Sequence, residues 1–180
     1  MIILETPRLV IRNWEDRDRD LFHTINSDEE VMHFFPFRHE RQQSDELFDR
    51  LCTMISKTGL GFYALEEKTS GECIGFAGLA RTKLEPHLPD GTVEIGWRLA
   101  RPFWGKGYVT EAGKALLAYA FGPLGLSEVV SFAVEANHRS TSVMQRIGMM
   151  RDASSDFNHP RVPDETPHLK RHIVYRAYAT

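Results

Sequence analysis

The chain is poor in cysteine, in long apolar runs and in surplus charge. Cys52 and Cys73 are its only cysteines; they form no CxxC pair and suggest no disulfide framework, so a reducing compartment is expected. No stretch approaches the roughly 18 consecutive apolar residues that span a bilayer. The opening Met1-Ile2-Ile3-Leu4-Glu5-Thr6-Pro7 is too short and too soon acidic for a secretory signal, so the expected location is cytoplasmic. Lys and Arg total 22 against 25 Asp and Glu, a formal net charge of −3. That balance gives no ground for a bulk nucleic-acid binder. Internal repeats, low-complexity tracts and linkers are missing too, which predicts one domain over residues 1–180 with ample length for a core. No metal is expected: His168 and His172 straddle a loop–strand junction as solvated histidines, with no partner at ligand spacing.

What the chain does have is centred on residues 93–112. Val93, Ile95, Trp97 and Leu99 alternate with Glu94, Gly96 and Arg98, the period of a strand with one buried face. A helix follows, its apolar stripe formed by Val109, Ala112, Gly113, Leu116, Leu117, Ala120 and Phe121. Between them lies Trp104-Gly105-Lys106-Gly107-Tyr108. A glycine-rich turn into a helix N-terminus exposes free N–H groups and the positive end of the helix dipole, and Lys106 adds charge. The turn reads as a phosphate cradle. It is neither a Walker loop, since no GxxxxGK[ST] run occurs, nor a full dinucleotide fingerprint, since Thr110 stands where a third glycine or alanine belongs.

One strand later, after Glu128 to Val134, comes Asn137-His138-Arg139-Ser140, leading to Arg146-Ile147-Gly148-Met149. Together the two segments resemble the GNAT N-acyltransferase superfamily, and the run Glu94-Ile95-Gly96-Trp97 followed by Trp104-Gly105-Lys106-Gly107-Tyr108 is most similar to its RimJ/RimL-like ribosomal-protein branch. The motif-bearing core spans residues 92 to 150. The resemblance implies an α/β fold, a mixed and mostly antiparallel twisted sheet flanked by helices, with a splayed central strand pair. It implies acetyl-CoA as co-substrate, held by Leu99, Ala100, Trp104, Gly105, Lys106, Gly107, Tyr108, Val109 and Asn137. Two positions depart from the pattern. Pro102 stands where the phosphate motif opens with a polar side chain, leaving Arg101 beside it, and Met144 replaces a tyrosine that many relatives use to protonate the leaving thiolate.

Acyl transfer to an amine needs a polarised carbonyl, a deprotonated nitrogen and a tolerated thiolate. A lysine-like amine with pKa about 10.4 is nearly all protonated at neutral pH, so a base helps. By the resemblance Glu94 is that base, directly or through water; the alternative is a solvated or salt-bridged strand carboxylate. Backbone N–H groups near Leu99 can meet the thioester oxygen if the sheet splays there. Ser140 is the hydroxyl nearest the leaving sulfur in the RimJ/RimL-like pattern, or else a helix cap, and Asn137 is a pantetheine contact, an N-cap, or both.

The rest of the chain reads as a strand over Arg8 to Trp14, helices over Asp16 to Asn26, Asp28 to His33 and Glu40 to Lys57, strands over Gly61 to Glu67 and Glu72 to Thr82, and a loop over Lys83 to Gly91. Trp14, Met144 and Met149 read as core. Phe34-Phe35-Pro36-Phe37 is either a packing plug or the wall of an acceptor site. Residues 151–168 form a long loop before a last strand, His172 to Tyr178. The expected function is N-acetylation of a primary amine, a protein N-terminal α-amine first and a small amine such as a polyamine, amino sugar or amino acid second. A non-catalytic acyl-CoA-binding module and a homodimer both stay open.

Overall fold

Apolar alternation draws nine strands into one sheet in the computed structural model, which describes residues 1–179. They are β1 (Ile2–Glu5), β2 (Leu9–Arg12), β3 (Gly61–Glu67), β4 (Cys73–Arg81), β5 (Val93–Leu99), β6 (Glu128–Val134), β7 (Met150–Arg151), β8 (Phe157–Asn158) and β9 (Arg171–Tyr178). The order is β1-β2-β3-β4-β5-β6-β9-β7, with β8 also paired to β9. Every pair is antiparallel except β5–β6. The helices are α1 (Arg19–Ser27), α2 (Arg41–Thr58), α3 (Tyr108–Phe121) and α4 (His138–Arg146). As the crossover between two parallel strands, α3 must pack back on the sheet.

On β4 and β5, Phe76 opposes Arg98 and Gly78 opposes Gly96, so these side chains share a face with Glu94. This face is covered by α1 and α2, whose Phe22 and Phe48 gather with Phe76 around Trp14 at centroid distances of 4.8 to 6.1 Å. The opposite face buries Val93, Ile95 and Leu99 together with Ala112 and Leu116 of α3. Trp97 is only half-buried because it stands where β6 has turned away.

That divergence is the main feature of the sheet. Pairing between β5 and β6 is confined to Glu94 opposite Val130, and one step on, the buried Ser131 hydroxyl donates to Ile95 O at 2.9 Å. Beyond it the strands part. The Ala100 N–H donates to Ile74 O, so by strand alternation the amides of Leu99 and Trp97 turn away from β4, into the gap.

An ion pair anchors the first turn after β2. Arg12, 3% exposed, meets Asp18 through Nη1 and Nη2 at 2.7 and 3.0 Å, and Glu66 through Nε at 2.8 Å. Its pKa is raised by the hydrogen bonds and charges of these acids, which outweigh the larger desolvation by burial. Removing one partner of a buried pair strands the other charge. We expect Asp18→Ala to cost about 3 kcal/mol, read as a melting temperature lower by roughly 10 °C; an unchanged melt would show that Glu66 alone suffices.

Three expectations are corrected. Residues 28–33 form turns rather than a helix: the Asp28 carboxylate takes the N–H groups of Glu30 and Val31 at 2.8 and 2.9 Å, and Pro36 bars Phe35 from helical geometry. The strand read over Arg8 to Trp14 is only Leu9–Arg12, and an unforeseen strand, Ile2–Glu5, pairs with it at the sheet edge. His172, expected to be solvated at the start of the last strand, is instead part-buried on β9, against His159 at 4.8 Å and stacked on Phe157 at 5.7 Å. The expected strands over 61–67 and 128–134 match without change.

Candidate active site

A cleft of about 1570 Å³ follows the gap between β5 and β6. Its floor is β5, one wall is the segment after α1, and the other is formed by the N-terminal ends of α3 and α4. Of the residues singled out in the sequence, Glu94, Leu99, Trp104, Gly105, Gly107, Tyr108, Val109, Asn137 and Ser140 all line it. Ala100 and Lys106 do not. Ala100 is buried with its N–H engaged by β4, and the Lys106 ammonium lies over the Phe103 ring at 5.3 Å.

The turn before α3 has the local geometry of an anion cradle. Gly105 and Gly107 sit at φ +73° and +78°, a region that side-chain-bearing residues rarely enter. The first intrahelical bond runs from Glu111 N to Gly107 O, which leaves the amides of Tyr108, Val109 and Thr110 without intrahelical acceptors at the positive end of the helix. Sequence reading missed the brace behind this turn. Arg8 donates from Nη1 to Lys106 O at 2.9 Å, from Nε to Glu111 at 2.6 Å, and lies over Tyr108 at 4.5 Å. Thr6 adds a 2.6 Å bond to Glu111, so the one acid in the first turn of α3 is held away from the cradle. These contacts join residues about a hundred positions apart and leave no local signal.

At the mouth, Glu30 reaches across to Arg101 at 2.8 Å and Arg139 at 3.5 Å. Arg139 also lies over Trp104 at 4.4 Å, and the Trp104 indole donates to Leu99 O at 2.8 Å. Arg101 therefore points to Glu30 rather than to the turn. Asn137 caps α4, its Oδ1 accepting from Ser140 N at 3.2 Å, and the residue lines the cleft. Met144, buried beside them, has no proton to give.

Glu94 sits deeper, at the parting of the strands. Burial pushes its carboxyl up to about 7, with the Arg161 charge pulling weakly the other way. A carboxyl so tuned exchanges protons near neutrality. Nearby, burial lowers His159 to about 4, helped by His172, and lowers His172 as well, so both rings are neutral at pH 7. His159 Nδ1 accepts from Arg161 N, and His172 Nδ1 lies 2.9 Å from Lys170 O. Phe34, Phe35, Pro36 and Phe37 all line the outer wall, and Phe34 also packs against Val134, Val162 and Leu169.

No helix among the described residues is long and apolar enough to cross a membrane. The sequence profile of the Acetyltransferase (GNAT) domain matches residues 8–150. The uncharacterized protein YkkB of Bacillus subtilis (strain 168) is 30% identical over 147 residues, 81% of this chain and 84% of that one. The crystal structure of a GNAT-family acetyltransferase from Bacillus anthracis superposes with a TM-score of 0.79 at 23% identity, covering 99% of this chain and 98% of that one. RimL, a ribosomal L7/L12 alpha-N-protein acetyltransferase solved with coenzyme A, gives 0.78 at 12% identity over 99% and 98% of the two chains. With the domain matched over most of its length, the chain belongs to the GNAT family and is an acetyl-CoA-dependent N-acetyltransferase.

Proposed function

We propose that this enzyme transfers acetyl from acetyl-CoA to a primary amine in the β5–β6 cleft, with Glu94 as the base. Glu94 carries the reading: a carboxyl held near 7 on the strand edge where the gap opens. The free amides of Tyr108, Val109 and Thr110 take the diphosphate, and Asn137 Nδ2 meets the pantetheine arm. Trp97 and Leu99 turn their N–H groups toward the thioester oxygen. Glu94 removes a proton from the ammonium, directly or through one water. The nitrogen then bonds to the acyl carbon, the oxygen takes the charge, and the C–S bond breaks as the carbonyl re-forms. As the amide forms, the nitrogen gives up its second proton, which Ser140 Oγ relays to the leaving thiolate, while Glu94 returns its own proton to solvent. A thiol with pKa near 8.5 leaves without a strong acid, which fits Met144 in place of a tyrosine.

The acceptor we put first is a protein N-terminal α-amine, the kind of acceptor named for RimL. A small-molecule amine is the second reading, supported by the ring-lined wall Phe34–Phe37. A thiol-release assay with acetyl-CoA against N-terminal peptides and small amines decides between them. We expect turnover on at least one class. Tight coenzyme binding with no turnover on any amine would overturn the assignment of Glu94 as a base.

A further inference from the structure

One charged group in the cleft has no part in the chemistry above. Arg98 lines the cleft two residues beyond Gly96, its guanidinium 4.2 Å from the Phe35 ring centroid and 5.2 Å from that of Phe76. Nη1 donates to Asn26 Oδ1 at 2.6 Å, and Nε is buried with no partner. Asn26 is itself fixed, its Nδ2 donating to Phe22 O at 2.7 Å. Among the described residues no carboxylate pairs with Arg98, and burial alone acts on it, lowering its pKa to about 10. It stays charged at neutral pH.

Most other arginines of the cleft are occupied. Around its rim Arg8 meets Glu111, Arg101 and Arg139 share Glu30, and Arg161 donates to Lys83 O; Arg146 on α4 also lines the cleft, without an ion pair among the described residues. At the Arg98 end the nearby titratable group is His39, whose pKa burial lowers, with Arg98 and Arg50 adding to the effect. This end of the cleft therefore carries uncompensated positive charge between aromatic faces. A buried charge without a counter-ion is costly, and pairing it is correspondingly favourable. The planar fork of a guanidinium matches a carboxylate.

We propose that Arg98 is a specificity-determining residue that receives a carboxylate of the acceptor, so that the substrate is a primary amine bearing an acidic group. The proposal rests on the acetyltransferase reading above. Arg98 and Glu94 project from the same side of β5, four residues and about 13 Å apart. An amine activated between them thus lies several bonds from an anion held at Arg98. A free ω-amino carboxylate has that form, and so does a peptide whose acidic side chain follows its N-terminal residue.

Matched pairs test this: ε-aminocaproate against hexylamine, and an Ala-Asp-initiated peptide against its Ala-Asn counterpart. Each is titrated onto the coenzyme A-saturated enzyme and assayed by thiol release with acetyl-CoA. We expect the acidic member of one pair to be preferred by about tenfold to a hundredfold, and the pair that responds identifies the source. Arg98→Gln should abolish that preference by raising KM for the acidic member, and Arg98→Lys should keep part of it. Coenzyme affinity and melting temperature report whether each variant folds. A wild type that binds acidic and neutral members alike, or a preference that survives Arg98→Gln, overturns the proposal. Failure to bind coenzyme A would instead sink the acetyltransferase reading itself.

Discussion

Replacing Glu94 by Gln is expected to slow acetyl transfer about a hundredfold while raising the melting temperature above neutral pH. Both effects come from the same burial. The Glu94 carboxyl is pushed up to about 7 from an ordinary 4.5, a difference worth roughly 3 kcal/mol. Because the folded-state value is the higher one, the stability this group confers is fully present below pH 4.5. It is lost as pH rises through 7, where the carboxyl must ionise in a desolvated site. Gln never ionises. The variant should match the wild type near pH 4 and gain up to about 3 kcal/mol above pH 7, a rise in melting temperature of several degrees.

The catalytic profile should move the other way. In the wild type the rate climbs as Glu94 ionises near 7, and that inflection should vanish in the variant, leaving only the titration of the amine itself. Melts at pH 5 and pH 8 together with a pH–rate series read both effects. A variant that loses stability at pH 8, or keeps the inflection, would show that Glu94 is a structural carboxylate.

Gly107→Val should weaken coenzyme A binding by about tenfold to fiftyfold. The cause is the backbone rather than a clash within the protein. A Cβ at Gly105 would meet nothing within 4 Å, and one at Gly107 only the Arg8 Nη2 at 3.5 Å. Yet φ of +78° at Gly107 costs an L-residue about 1–2 kcal/mol, and more for a β-branched one. Relaxing that strain rotates the amides of Tyr108 and Val109 away from a common focus. Asn tolerates positive φ better than Ala or Val. Affinities measured by titration calorimetry should therefore fall in the order Gly, Asn, Ala, Val. If Gly107→Asn loses as much as Gly107→Val, side-chain bulk against the phosphates is responsible instead.

Arg8 bears on the same turn from the other end of the chain. Its bonds to Lys106 O and Glu111 hold the cradle against β2, so the turn is set by tertiary contact as well as by its glycines. The charge of Glu111, an acid one turn into α3, is thereby already matched and would not repel an anion at the turn.

What the sequence determined by itself is what short-range covalent geometry dictates. The period of two over Val93–Leu99, the helical stripe from Val109 to Phe121 and the two glycines between them mark out strand, helix and turn from neighbouring residues, and Arg8 then braces the turn from afar. Resemblance then supplied Glu94, Asn137 and Ser140, and the cleft lining includes all three. Tertiary structure decided everything that depends on distant partners. The helix expected at 28–33 yields to local signals, an Asp28 cap and Pro36, whereas β1 exists because β2 offers it an edge. Ser131 marks the parting of β5 and β6 through a bond to Ile95 O. Glu94 reaches about 7 and Arg98 is left without an acid because burial strips away water without supplying a counter-charge. A residue's solvent and partners come from the whole fold, and no local pattern encodes them.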